Sequence, residues 1–154
     1  MFHRLLVPVD LTAKNQRAVE VARDLAAQSG GEVFLLHVIE TLDLPFSELE
    51  DFYGRLEARA TDRLQPFARL LDDDGVRFSG HIVYGKRANK VLEFADEHST
   101  DLIILDSHRI EPGKLGKGFA TLSYHIAIAA SCPVLLVKGG APSSDDSSAT
   151  GDIQ

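Results

Sequence analysis

Cysteine, tryptophan and methionine are nearly missing from these 154 residues: one Cys, no Trp and one Met. A single thiol, Cys132, rules out an internal disulfide framework and a cysteine-based zinc site, and it suits a reducing compartment, so a cytoplasmic location is expected. No apolar run approaches the ~18 residues of a membrane span, and no signal peptide precedes the first apolar stretch, so neither insertion nor export is expected. Positive charge is also scarce: 16 Lys and Arg stand against 23 Asp and Glu, for a net charge of −7. Phosphate neutralisation needs clustered cations, which argues against a general nucleic-acid surface.

What is present suits one domain with a real core: 44% of residues are hydrophobic and 25% charged. Residues 3–9 read as a buried strand with Pro8 near its end, where a lost donor is tolerable, and Asp10 closes it. Thr12 is a candidate N-cap for a helix whose Ala18, Val19, Val21, Ala22, Leu25 and Ala26 follow helical spacing until Gly30 and Gly31 stop it. Residues 32–39 form a second strand, apolar enough to be central. Ser47 and Glu50 make a capping box for a helix to about Leu71, with Leu49, Phe52, Leu56, Ala60, Leu64, Phe67, Leu70 and Leu71 as its apolar stripe.

The acidic turn 72–75 leads into residues 76–84, a partly exposed edge strand. Gly85 then introduces a helix from about Arg87 to His98 with Ala88, Val91, Leu92 and Ala95 inward. The stretch 100–138 reads as strand (102–105), polar loop (106–119), helix (120–130) and strand (133–137), a βαβ unit. Strands and helices alternate throughout, which predicts a doubly wound α/β sheet. Ligands of such sheets sit beyond the carboxyl ends of the strands, so residues 106–121 fall at the expected binding edge. Residues 139–154, rich in Gly, Ser and Asp, read as a disordered tail behind a domain spanning 1–138.

The pieces LLVPVD (5–10), LLHV (35–38), Gly85, DLIILDSH (101–108) and SCPVLLVK (131–138), in that order and spacing, resemble the universal stress protein family. The resemblance implies a single-domain, open, parallel five-stranded sheet of order 3-2-1-4-5 with helices on both faces. It implies a homodimer formed by antiparallel pairing of the last strand, through Pro133, Val134, Leu135, Leu136 and Val137, an edge that would otherwise invite pairing. It also implies an adenine nucleotide, ATP or AMP, in the crevice between strands one and four. The contacts carried over are Pro8, Val9, Asp10, Val38, Leu105, Asp106, Ser107, His108, Leu122 and Ser123.

The loop departs from the family's nucleotide pattern. Members that bind ATP carry glycine, two residues, glycine, nine residues, glycine, then Ser or Thr. Those glycines fall here on Asp106, Arg109 and Ala120, in a loop one residue longer, and only the hydroxyl survives, as Thr121. A phosphate chain held by backbone N–H groups needs backbone without Cβ atoms. A carboxylate at Asp106 would repel a triphosphate unless a metal or Lys screened it. The loop instead offers Gly113, Lys114, Gly116, Lys117 and Gly118 ahead of Thr121 and Ser123, either an anion site in its own right or a solvated loop. It is not a Walker A loop, because Phe119 stands where that motif requires Lys.

Each candidate has a plain reading beside the functional one. Asp10 can accept from adenine N6 or a ribose hydroxyl, or cap the first helix. Val38 would line a base pocket by the resemblance, while a buried core valine is the commoner meaning of such a residue. His37 reads as a hydrogen-bonded core or rim histidine, and Cys132 as a packed thiol. By the resemblance the backbone of His108 would reach a ribose or the first phosphate; its ring could instead pin the loop. Asp10 and Asp106 could share Mg²⁺ with a phosphate. Ser107 and His108 are sequence neighbours, a geometry that rarely aligns a triad. Three functions follow: a nucleotide-binding sensor, a dimeric module that signals through a regulatory protein partner without nucleotide, and a slow nucleotide hydrolase.

Overall fold

A computed structural model of the protein describes residues 1–41, 45–107 and 122–139. Its elements run β1 (Arg4–Pro8), a short 3-10 turn (Ala13–Asn15), α1 (Gln16–Ser29), β2 (Glu32–Ile39), α2 (Phe46–Asp72), β3 (Arg77–Tyr84), α3 (Arg87–Glu97), β4 (Leu102–Ser107), α4 (Leu122–Ala129) and β5 (Val134–Lys138). All neighbouring strands pair in parallel, in the order β3-β2-β1-β4-β5 that the resemblance implies.

Leu5, Leu6 and Val7 of β1 have no exposed surface, which three consecutive residues achieve only in a strand covered on both faces. Leu5, Val7, Val33, Leu35 and Ile104 pack with the inward residues of α1 and α2, such as Val19, Leu64 and Phe67. Leu6, Phe34, Leu36, Ile103 and Leu105 pack with Val91 and Phe94 of α3 and Ile126 of α4. Burying each such side chain contributes roughly 1.5–3 kcal/mol. Gly30 ends α1 at φ 71°, and a Cβ on Gly31 would lie 2.7 Å from the His3 carbonyl oxygen, so the start of β2 closes on β1 only without a side chain there.

Four expectations give way. α2 begins at Phe46, after Pro45 and without a side-chain cap, so Ser47 lies inside its first turn and forms no capping box. Phe52 is 42% exposed while Tyr53 is 2% exposed. Tyr53 sets the buried stripe because its ring meets Tyr84 of β3 edge-on at 5.7 Å. β4 runs on through Asp106 and Ser107, because β5 offers them ladder partners in Val137 and Lys138. Thr12 precedes the 3-10 turn but makes no cap bond from its side chain to it. The expected tail beyond residue 139 lies outside the described residues. Among the described residues no helix is long and apolar enough to cross a membrane.

Candidate functional site

β1 and β4 are neighbours in the sheet, and their following helices cover opposite faces: α1 packs in one core layer and α4 in the other. Divergence of that kind opens a crevice at the carboxyl ends of the two strands. A cleft of about 280 Å³ lies there. Leu36, Val38, Val91 and Leu105 give it apolar walls; Pro8, Val9 and Asp10 enter from the end of β1, Asp106 and Ser107 from the end of β4, and Leu122 and Ser123 from α4. Lys14 and Asn15 complete it from the 3-10 turn, and Arg87 from the first turn of α3.

The β1 side is held by bonds to β2 at Val9 and, from Asp10 on, by hydrogen bonds within a few residues of one another. The Val9 N–H donates to the Leu36 carbonyl at 2.9 Å, which keeps β1 and β2 together past Pro8. His37 Nδ1–H donates to the Val9 carbonyl at 2.9 Å, the hydrogen-bonded role expected of that ring. Asn15, only 4% exposed, accepts at Oδ1 from the N–H groups of both Asp10 and Leu11, each at 3.0 Å. Leu11 sits at φ 69°, in the left-handed region, where a leucine stays only if its surroundings hold it.

Asp10 completes the loop. Its Oδ1 accepts from the Thr12 N–H at 2.9 Å and from Thr12 Oγ1 at 2.6 Å, so Thr12 serves as a donor to Asp10. Partial burial pushes the Asp10 carboxyl up, but the two bonds from Thr12, joined by the charges of Arg87 and Lys14, outweigh it. The group is held below the ordinary carboxylate range and is ionised at neutral pH.

The β4 side is held differently. Asp106 and Ser107 pair with Val137 and Lys138 of β5, and Lys138 Nζ donates to Ser107 Oγ at 3.2 Å. Pro133 precedes β5, and its carbonyl accepts from the Ile103 N–H at 3.0 Å. β5 pairs with β4 on one edge only. Leu135 and Leu136 are each 38% exposed, one on each face of the sheet by alternation, while Val134 is half-buried and Val137 buried. Burial pushes the Cys132 thiol up, so it is a packed group and not an activated one.

Of the residues singled out in the sequence, Pro8, Val9, Asp10, Val38, Leu105, Asp106, Ser107, Leu122 and Ser123 line the one cleft. His108, Arg109, Gly113, Gly116, Lys117, Gly118, Ala120 and Thr121 lie outside the described residues. Sequence reasoning missed Lys14, Asn15 and Arg87. Arg87 carried a usable signal, since it stands four residues before the inward Val91 and so on the same helical face. Chemically, an apolar slot with a charged carboxylate and two cations at its rim suits a flat heterocycle bearing an anionic group. Among the described residues no cluster of three His, Cys, Asp or Glu could hold a metal ion. The pair Asp10 and Asp106 would need oxygens from a ligand to complete a Mg²⁺ shell.

Residues 1–138 match the model of the universal stress protein family. Universal stress protein G of Escherichia coli O157:H7 is 28% identical over 147 residues, covering 90% of this chain and 100% of that protein. The solved structure of MJ0577 from Methanocaldococcus jannaschii superposes with a TM-score of 0.75 at 23% identity, covering 91% of this chain and 98% of that one. A universal stress protein in complex with cAMP gives a TM-score of 0.69 at 18% identity, covering 90% and 98% of the two chains. The universal stress protein of Archaeoglobus fulgidus in complex with dAMP gives 0.66 at 19% identity, covering 89% and 98%.

Proposed function

The chain belongs to the universal stress protein family, and on that footing we propose that it is a homodimeric regulatory protein that takes an adenine nucleotide, ATP or AMP, into the cleft between β1 and β4. The carrying observation is the cleft, where an apolar slot meets an ionised carboxylate at the switch point of the sheet. Adenine lies against Val38 and Leu105, and Asp10 accepts from its N6 or from a ribose hydroxyl. Two proteins of the same fold, solved with cAMP and with dAMP, support an adenylate as the ligand. The Gly and Lys residues of 108–121 and Thr121 supply further contacts to the phosphates, and Mg²⁺ between Asp106, Asp10 and a phosphate would relieve the repulsion that Asp106 introduces. Residues 1–138 act as one binding domain, in the cytoplasm, where Cys132 stays reduced.

Calorimetric titration with ATP and AMP, with and without Mg²⁺, tests this. Heat saturating in the micromolar range supports it; silence with every nucleotide overturns it. The exposed β5 edge favours the homodimer, since antiparallel pairing of Val134 to Val137 about a two-fold axis satisfies both open edges and covers Leu135 and Leu136. A folded Val134→Asp variant that still elutes as a dimer overturns that part. The same edge also favours a second reading, a dimeric module for a regulatory protein partner that has lost nucleotide with the family's glycines at positions 106, 109 and 120; calorimetric silence from a dimer would leave it standing.

A further inference from the structure

The cleft holds two cations that the family's nucleotide pattern does not include. We infer that Arg87 and Lys14 form its phosphate grip, so that the anionic part of the ligand is held by side chains from the α1 and α3 sides. This rests on the nucleotide reading above and names which part of the nucleotide is recognised, and by what.

Arg87 is the first residue of α3, one turn before Val91, which is fully buried against the sheet. The i to i+4 relation sets its side chain over the cleft that both residues line. Among the described residues neither the Arg87 nor the Lys14 side chain makes a hydrogen bond or an ion pair, whereas Arg4, Arg17, Arg23 and Lys90 all pair with carboxylates. Arg55, Arg59, Arg63 and Arg69 of α2 also lack ion pairs, but they are exposed and water satisfies them. Arg87 is half-buried and lines the cleft.

The backbone around Arg87 points the same way. α3 has no side-chain cap on its first turn and no acidic residue there, and the turn leading into α1 has none either. The open N–H groups of the α3 start therefore add to the positive field at the cleft. Asp10 feels both cations through the space of the cleft without an ion pair to either, so their donors stay available to an incoming group. A guanidinium fork matches phosphate oxygens two at a time, and the exposed Lys14 adds a point charge at the rim.

The test titrates the full chain with tripolyphosphate, ATP, AMP and adenosine by calorimetry, in the original protein and in Arg87→Gln, Lys14→Gln and Arg87→Lys, with melting curves to confirm folding. Arg87→Gln should weaken ATP and tripolyphosphate about tenfold or more, Lys14→Gln about threefold, and leave adenosine within about twofold. Arg87→Lys should recover part of the loss, and the salt dependence of ATP binding should flatten in Arg87→Gln. If ATP binds and the Arg87→Gln, Lys14→Gln double variant binds it unchanged, the grip is refuted while the nucleotide reading stands. If tripolyphosphate binds through Arg87 and no nucleotide binds at all, the grip stands and the nucleotide reading falls. If the original protein binds neither, both fall.

Discussion

The two walls of the cleft are built on different principles. On the β1 side, Asn15, Asp10 and Thr12 lock one another within six residues of chain, and His37 ties the strand end to its neighbour. On the β4 side, Asp106 and Ser107 owe their position to a strand thirty residues further on. From Asp10 on, the first wall is held by local chemistry. The second is only as firm as the β4–β5 ladder. A ligand entering the cleft would therefore meet one rim held locally and one that depends on the sheet edge.

The sharpest way to break the contrast is Asn15→Leu. It leaves the N–H groups of Asp10 and Leu11 without their acceptor in a part-buried loop, and it releases a leucine held at positive φ. The expected loss is about 2–3 kcal/mol, read by urea unfolding, whereas Asn15→Asp, which keeps an acceptor oxygen, should lose less. An Asn15→Leu protein as stable as the original would remove the claim that this wall is locked locally.

A smaller effect, and one that moves with pH, comes from Asp10→Asn. Because the folded protein holds the Asp10 carboxyl below its ordinary value of 3.8, the unfolded chain takes up that proton first as pH falls. Its stabilising contribution is complete above that ordinary value and is lost as pH drops through the depressed folded value. The stability difference between the original and Asp10→Asn should thus be present at neutral pH and close in acid. A gap that stays constant from pH 7 to pH 2 would mean that the bonds from Thr12 and the nearby cations do not favour the charged form.

The least effect is expected on the other wall. Lys138→Ala removes one exposed bond to Ser107 and should cost under about 0.5 kcal/mol, with urea unfolding as the check. A loss as large as that of Asn15→Leu would erase the distinction between the two walls.

The sheet was legible in the sequence because its physics is one-dimensional. Continuous apolar runs such as 102–105, too short for a helix of their own, read as strands buried on both faces, and Gly30–Gly31 and Pro8 mark where elements stop. Where reading failed, the deciding contact came from elsewhere in the fold. Nothing in the string Phe52-Tyr53 says which ring turns inward; Tyr84, on the next strand, decides it. Nothing in Asp106-Ser107 says strand; β5 decides it. Within the cleft, Asp10, Val38 and Ser107 were legible through a family resemblance, while Asn15 and Arg87 look like ordinary surface polar residues at helix starts. Their roles exist only once β1, β2 and α3 have closed around one space.

The last strand belongs at once to the floor beside the cleft and to the open margin of the molecule. Val137 and Lys138 are the ladder partners of Asp106 and Ser107, so one ribbon of backbone supports both. Any partner that stiffens β5 from outside and thereby changes ligand affinity must, by thermodynamic linkage, find its own affinity changed by the same factor when the ligand is in place. Messages between margin and pocket would then need no moving domain, only a few hydrogen bonds of a sheet growing firmer or looser.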